Sequence, residues 1–235
     1  MSKSNTYKAG RHFLQVPGST NIPDRVLRAI DAPAMDHRGP KFQDLSKRIL
    51  ERIKLIFKST DPVVIFPSAG TGAMEAALAN TLNEGDKVLM FETGHFATEW
   101  CQAAKRYRIN VDFVPGDWRT GADPKIVEQK LLADKKHEIK AVLVTHNETS
   151  TGIKSRVEEI RKAIDKTNHP ALFMVDTISS LGSYNYEHQK WKVDVTVGGS
   201  QKGLMCPPGL SFNVISNKAL EAYKNSKIVK SYWHW

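Results

Sequence analysis

The chain has 235 residues, 40% of them hydrophobic, enough to bury a substantial core in one large domain. Its 34 lysines and arginines outnumber 25 aspartates and glutamates, a formal charge of +9, yet acids are interspersed through the basic stretches 47–54 and 158–162, which therefore read as solvated helix faces. With no zinc-finger spacing, RNP-like motif or long basic tract, no nucleic-acid partner is expected; no apolar run approaches the ~20 residues of a membrane span, and Cys101 and Cys206 form neither a disulfide framework nor a metal-ligand pattern.

An irregular arm covers residues 1–21, and its first residues lack the apolar stretch of a secretory signal, so the expected compartment is the cytoplasm. Helical patterns follow at Asp24–Ile30 and, longer and amphipathic, at 42–57. The apolar run Val63–Phe66 leads into Pro67-Ser-Ala-Gly-Thr-Gly72 and an alanine-rich helical pattern at 73–82. Strands are then predicted at Lys87–Phe91, 110–113, 141–145, 171–176, 194–197 and 210–215, with helical segments between most of them and a turn-rich loop at 116–124. A last helix is predicted at 218–225. Alternation of this kind predicts an α/β fold, a doubly wound and mainly parallel sheet with helices on both faces.

Three local features carry chemistry. Gly70 and Gly72, between a strand and a helix, let backbone N–H groups at a helix N-terminus approach an anion, although the pattern is neither a Walker loop nor a dinucleotide-binding turn. Asp176 ends the apolar run Phe173-Met-Val-Asp176, which places a carboxylate at the carboxyl end of a strand, where open α/β sheets bind ligands; a capping aspartate has the same local look. Lys202, in Val195-Thr-Val-Gly-Gly-Ser-Gln-Lys-Gly-Leu204, follows a β-branched run through small residues. A buried amine there loses part of its ordinary pKa and becomes a nucleophile toward aldehydes, whereas an exposed one is a surface lysine on a turn.

In this order the three features resemble the fold-type I pyridoxal-phosphate enzymes, and the wording is similar to the class V aminotransferases that act on glyoxylate, such as the serine–glyoxylate and alanine–glyoxylate enzymes. The resemblance rests on Gly199-Ser-Gln-Lys-Gly203 with Pro207-Pro-Gly209, Val16-Pro-Gly-Ser-Thr-Asn-Ile-Pro23, His37-Arg-Gly-Pro-Lys-Phe42, His146-Asn-Glu-Thr-Ser-Thr-Gly152 and Val175-Asp-Thr-Ile-Ser-Ser-Leu-Gly182. It implies pyridoxal 5′-phosphate as cofactor, held as a Schiff base by Lys202, with Asp176 on its pyridinium nitrogen. Gly70 and Thr71 would hold the phosphate, assisted by Ser200 and Gln201. Phe96 would stack on one face of the ring and Ile178 on the other, Thr149 would lie near the phenolic oxygen, and Gly18 and Ser19 near the substrate carboxylate; for Phe96 and Ile178 core packing is the plainer reading.

The same resemblance implies a homodimer that moves an amino group from serine, alanine or aspartate to glyoxylate or a related 2-oxo acid, with peroxisomal or mitochondrial placement also represented among such enzymes. Residues 22–235 would be the large, cofactor-binding domain. The small C-terminal domain, with the arginine that grips the substrate carboxylate, is expected beyond residue 235, and the chain reads as cut short, with Trp233 and Trp235 marking an exposed, severed interface. Two other readings are a cysteine desulfurase or lyase, for which Cys206 is the nearby thiol, and a non-catalytic cofactor-binding fragment.

Overall fold

The β-branched and aliphatic runs pair into one seven-stranded sheet in a computed structural model that describes residue 10 and residues 13–235; the remaining residues of the arm expected over 1–21 lie outside the described residues. The strands are β1 (Val63–Phe66), β2 (Lys87–Phe91), β3 (Asn110–Val114), β4 (Ile139–Thr145), β5 (Leu172–Asp176), β6 (Val195–Gly199) and β7 (Ser211–Ile215), in the spatial order β1-β7-β6-β5-β4-β2-β3. Helices α1 (Asp24–Ile30) and α2 (Pro40–Phe57) precede the sheet. Between strands run α3 (Gly70–Thr81), α4 (His95–Arg106), α5 (Pro124–Ala133) and α6 (Val157–Thr167), and α7 (Asn217–Asn225) follows β7.

All strand pairs from β3 across to β6 are parallel, and every connection between successive strands from β2 to β6 holds a helix except β5 to β6. Only β7 runs against its neighbours, pairing antiparallel with both β6 and β1. The connection from β6 to β7 contains no helix, and a return that short can only bring the strand back antiparallel. The sheet is therefore mixed, though mainly parallel as the sequence pattern predicts.

The pleat sorts the central strands into two cores. Met90, Leu143, Met174, Val195 and Val197 point toward α3, α4 and α7, meeting Met74, Leu78, Trp100 and Ala219. Their sequence neighbours Leu89, Val142, Val144, Phe173 and Val175 point the other way, onto Val127 and Leu131 of α5 and Val157, Ile160 and Ile164 of α6. Each fully buried Leu, Val, Ile, Met or Phe contributes about 1.5–3 kcal/mol. A smaller cluster seats Ile53 and Phe57, near the end of α2, on Val63, Phe212 and Val214.

Two boundaries differ from the sequence pattern in ways that bear on the site. Pro40 starts α2, where its missing N–H is not needed. Gly70, Thr71 and Gly72 lie inside the first turn of α3 rather than in a turn before it; glycine's low helix propensity hides this, but the first turn of a helix has free N–H groups in any case. The terminal tryptophans also depart from expectation. Trp233 is half-buried, its ring 5.6 Å from that of Phe66 and its carbonyl accepting from Asn80 Nδ2 at 2.6 Å. Trp235, also half-buried, donates from Nε1 to Asn213 Oδ1 at 3.0 Å. Both pack onto α3 and the sheet, so they are not an exposed apolar surface.

What does remain uncovered is the outer face of α1 and α2. No residue of α1 is buried, and Leu27, Ile30, Met35, Phe42, Ile49, Leu50 and Ile56 are exposed together with Leu55 at 76%.

Candidate active site

The carboxyl ends of β1, β4, β5 and β6 open on one side of the sheet, and the segments leaving them converge on a cavity of about 250 Å³. Asp176 arrives as the last residue of β5 and Lys202 comes three residues after β6. Gly70 and Thr71 are the first residues of α3, Phe96 is the second residue of α4, and Thr149 belongs to the turn after β4. All of these line the cavity, as do Gly18, Ser19, Ile178 and Gln201.

Lys202 and Asp176 are the two ionisable groups on its wall. Burial holds the Lys202 amine below its ordinary range, while the carboxylates of Asp176 and Glu148 act the other way. Its Nζ lies 3.5 Å from Thr149 Oγ1 and 5.6 Å from the centre of the Phe96 ring. Asp176 is 3% exposed. Burial pushes its carboxyl up to about 7, with the nearby Glu148 charge adding to the rise, against the Ile178 N–H that donates to Oδ1 at 2.8 Å and the Lys202 charge. A cation brought against this carboxyl would restore its ionised form.

The remaining walls suit a phosphorylated, planar, aldehyde-bearing ligand. Gly70 and Thr71, in the first turn of α3, line the cavity, and a helix N-terminus offers free N–H groups with the dipole behind them. Ile178 sits so close to Gly70 that a Cβ there would lie 2.7 Å from its Cγ1 and still nearer its Cδ1. Gln201 Oε1 is buried without a hydrogen-bond partner, one of few such atoms among the described residues. Phe96 offers a half-buried ring. An amine, a buried acid, an anion cradle, an aromatic face and an unsatisfied polar atom thus fit pyridoxal phosphate.

Ser200 is the expected site residue that the structure does not bring to the cavity wall. It is 2% exposed, and its Oγ donates to Pro207 O at 2.6 Å and accepts from Leu210 N at 3.3 Å, closing the base of the lysine loop. Cys206, the candidate thiol of the desulfurase reading, also does not line the cavity; its Sγ is 3.5 Å from Leu204 O. His146, behind β5, is buried, takes the Asp176 carbonyl through its backbone N–H at 2.8 Å, and is pushed down to about 4 by burial, hence neutral.

Three contributors escape a reading of the sequence. Met74 lines the cavity from the second turn of α3. Thr20 ties the arm to the lysine loop, its N–H donating to Gln201 O at 3.1 Å and its Oγ1 to Lys202 O at 3.1 Å. Glu148 is wholly buried behind Phe96. Thr20 and Glu148 act through backbone groups far away in sequence, which no spacing rule reveals; for Glu148 the available signal is a carboxylate set in a turn that is otherwise small and neutral. A second depression, about 460 Å³ and lined by residues including Lys125, Lys154 and Arg156, lies away from these groups, and two of these three cations are engaged: Arg156 with Glu159 at 3.0 Å, Lys154 over the Tyr184 ring.

The fold is similar to that of the fold-type I aminotransferases. The family model for class-V aminotransferases matches residues 12–231, and the chain belongs to that family. It is 47% identical to the serine–glyoxylate aminotransferase of Methylorubrum extorquens, over 98% of this chain and 59% of that protein, and 44% identical to the L-aspartate–glyoxylate aminotransferase of Paracoccus denitrificans, over 93% and 55%. Among solved structures it is similar to the ureidoglycine–glyoxylate aminotransferase of Bacillus subtilis, with a TM-score of 0.89 and 25% identity over 98% of this chain and 59% of that one. It is likewise similar to the alanine–glyoxylate aminotransferase of Nostoc sp., at 0.86 and 28% over 98% and 60%. The chain therefore spans a little under 60% of the length of the curated relatives it matches.

Proposed function

We propose that the chain carries the pyridoxal-phosphate site of an aminotransferase that moves an amino group from serine, alanine or aspartate to glyoxylate or a related 2-oxo acid. The observation that carries this reading is the meeting of the Lys202 amine, the Asp176 carboxyl and the first turn of α3 on one 250 Å³ cavity. Pyridoxal phosphate, when bound, supplies an aldehyde for the amine and an electron sink for the bond-breaking step.

The chain's own residues then have distinct tasks. Gly70 and Thr71 donate backbone and hydroxyl hydrogens to the phosphate, and Gln201, on the same cavity wall, assists from its amide NH2. Phe96 and Ile178 confine the ring from opposite faces. Asp176, ionised once a cationic ring nitrogen faces it, holds a proton at that nitrogen. Lys202, whose amine burial holds below its ordinary range, takes a proton at Nζ from the substrate's α-carbon and returns it. Thr149 stays within reach of the amine and of the phenolic oxygen, while Gly18 and Ser19 stand near the substrate carboxylate. Ser200 supports the lysine loop rather than the phosphate.

Residues 22–235 serve in this reading as the large, cofactor-binding domain. The uncovered apolar face of α1 and α2 suits a second copy of the chain, as a homodimer. No described helix is long and apolar enough to cross a membrane, in keeping with a cytoplasmic enzyme.

The test is an absorption spectrum of the purified chain with pyridoxal phosphate, before and after serine, alanine or aspartate is added separately. Growth of a visible band that one donor then bleaches is the expected result. No band in the unsubstituted chain, or a band of the same intensity in Lys202→Ala, rejects the assignment; a band that no donor bleaches leaves a cofactor-binding unit without turnover.

A further inference from the structure

Behind the Phe96 wall lies a second buried carboxylate that the proposed chemistry leaves without a task. Glu148 is 0% exposed. Its Oε1 accepts from Phe96 N at 3.2 Å, Ser150 N at 3.1 Å and Ser150 Oγ at 2.9 Å, and its Oε2 accepts from Ala97 N at 3.1 Å. Ser150 Oγ in turn accepts from His95 N at 3.0 Å. The opening amides of α4, which lack carbonyl partners within the helix, are thus taken up by one side chain and its serine neighbour.

The backbone of Glu148 is fixed as firmly. Its N–H donates to Ile153 O at 2.8 Å, and its carbonyl accepts from Gly152 N at 2.8 Å. Gly94, just before α4, leaves the room this arrangement needs: a Cβ there would run into Glu148 Cγ and lie 2.6 Å from Ser150 Oγ. The same carboxylate is felt on the other side of the ring pocket, where its charge adds to the rise at Asp176 and opposes the fall at Lys202.

We propose that Glu148 is a positioning residue of the cofactor site: it holds the first turn of α4, and with it the Phe96 ring, over the cavity, and it puts a second buried carboxylate behind a ring that the Lys202 amine approaches to 5.6 Å. The proposal rests on the pyridoxal-phosphate reading above. A helix capped by an ordinary Ser keeps its end in place but brings no charge into the pocket; here one group does both. The charge favours a protonated nitrogen at Lys202 and leaves Asp176 as the carboxyl whose state depends on what stands opposite it.

The other titratable groups around this set are few. His146, on the segment after β4, is neutral, and Lys154 adds to the positive potential at its ring. Tyr186, whose hydroxyl is 2.6 Å from Thr196 Oγ1, is held neutral by burial and feels Asp176. His95, beside Phe96 with ring centres 5.2 Å apart, is exposed.

The experiment compares the chain with Glu148→Gln and Glu148→Asp, each loaded with pyridoxal phosphate, by titrating the visible band of the lysine-bound cofactor against pH and by measuring cofactor affinity. Removing the charge in Glu148→Gln is expected to lower the titration midpoint by about one pH unit, because a neighbouring anion no longer favours the protonated form, and to weaken cofactor binding about tenfold. Glu148→Asp keeps the charge but is one methylene too short to reach the α4 amides from the same backbone, so it should weaken binding with its midpoint unmoved. A purely structural cap would weaken binding in both variants and move neither midpoint, and that result overturns the proposal. If near-ultraviolet circular dichroism shows Glu148→Gln unfolded, Glu148→Asn is set beside Glu148→Asp, equal in length and different in charge: a midpoint about one pH unit lower in Glu148→Asn supports the proposal, and equal midpoints overturn it. A band missing from the unsubstituted chain removes the cofactor reading and this proposal with it, whereas a band present there with an unmoved Glu148→Gln midpoint removes this proposal alone.

Discussion

Gly70→Ala is a one-carbon perturbation whose effect can be worked from the geometry. The new Cβ would lie 2.7 Å from Ile178 Cγ1, 3.1 Å from its Cγ2, and closer still to Cδ1. Ile178 must leave its rotamer or α3 must retreat, and overpacking of this kind costs about 1–3 kcal/mol. Alanine's helix advantage over glycine belongs to helix interiors and offsets little of this at the first residue of α3, so the unliganded chain should lose about 1–3 kcal/mol in a urea titration. The cofactor should suffer more, since an isoleucine displaced from Gly70 enters the space of the ring; a cost of about 1.4 kcal/mol is tenfold in affinity, and a loss of tenfold or more is expected by absorbance titration. Ile178→Ala deletes Cγ1, Cγ2 and Cδ1 together, so combined with Gly70→Ala it should recover part of the binding, a coupling that separates a clash from an unrelated shift. Unchanged cofactor affinity in Gly70→Ala, or no recovery in the double variant, would refute the assignment of Ile178 as the wall facing the first turn of α3.

Asp176→Asn should stabilise the unliganded chain at pH 8 by up to about 4 kcal/mol relative to its effect at pH 4, because a carboxyl raised to about 7 by folding stabilises most below its unfolded value near 3.8 and loses that contribution as pH rises through about 7. His146, lowered to about 4, acts oppositely, its contribution being complete above about 6.5 and lost as pH falls, so the difference between variant and parent, not the parent's own profile, is the quantity to measure by denaturation; a difference independent of pH would contradict the raised carboxyl. Lys202→Ala should abolish the visible band while leaving the unfolding midpoint within about 1 kcal/mol; a retained band would move the nucleophile elsewhere. Leu55→Glu, at a site 76% exposed, should shift sedimentation toward monomer with little change in circular dichroism, and an unaltered mass would take α2 out of the interface.

Much of this arrangement was legible because apolar runs and their periods are local. The bounds of β1, β2 and α1 follow from their own residues, and the chemistry of Asp176 and Lys202 follows from single ionisable side chains at the ends of apolar strands. The direction of β7 is not local: strand residues look alike either way, and only the lack of a helix between residues 199 and 211 turns it around. The start of α3 was masked by glycine, whose weak helix preference matters least in a first turn. Ser200 looks from its position like a ligand of the phosphate, yet its hydroxyl is occupied by Pro207 and Leu210. Glu148 was the least visible of all, since its partners lie some fifty residues upstream and are backbone amides that carry no identity.

The antiparallel return of β7 gives the lysine an unusual foundation. Residues 200–210 are a long hairpin loop between neighbouring strands, and Ser200 gathers it: its N–H donates to Leu210 O, its carbonyl accepts from Cys206 N, and its hydroxyl bridges Pro207 and Leu210. Lys202 thus stands on a knot tied to the sheet, not at the end of a helix that domain movements could slide. Its amine can part from one bond and form another by rotation of its own side chain, while the ground beneath it stays still and the arm held by Thr20 keeps its register on the same two carbonyls.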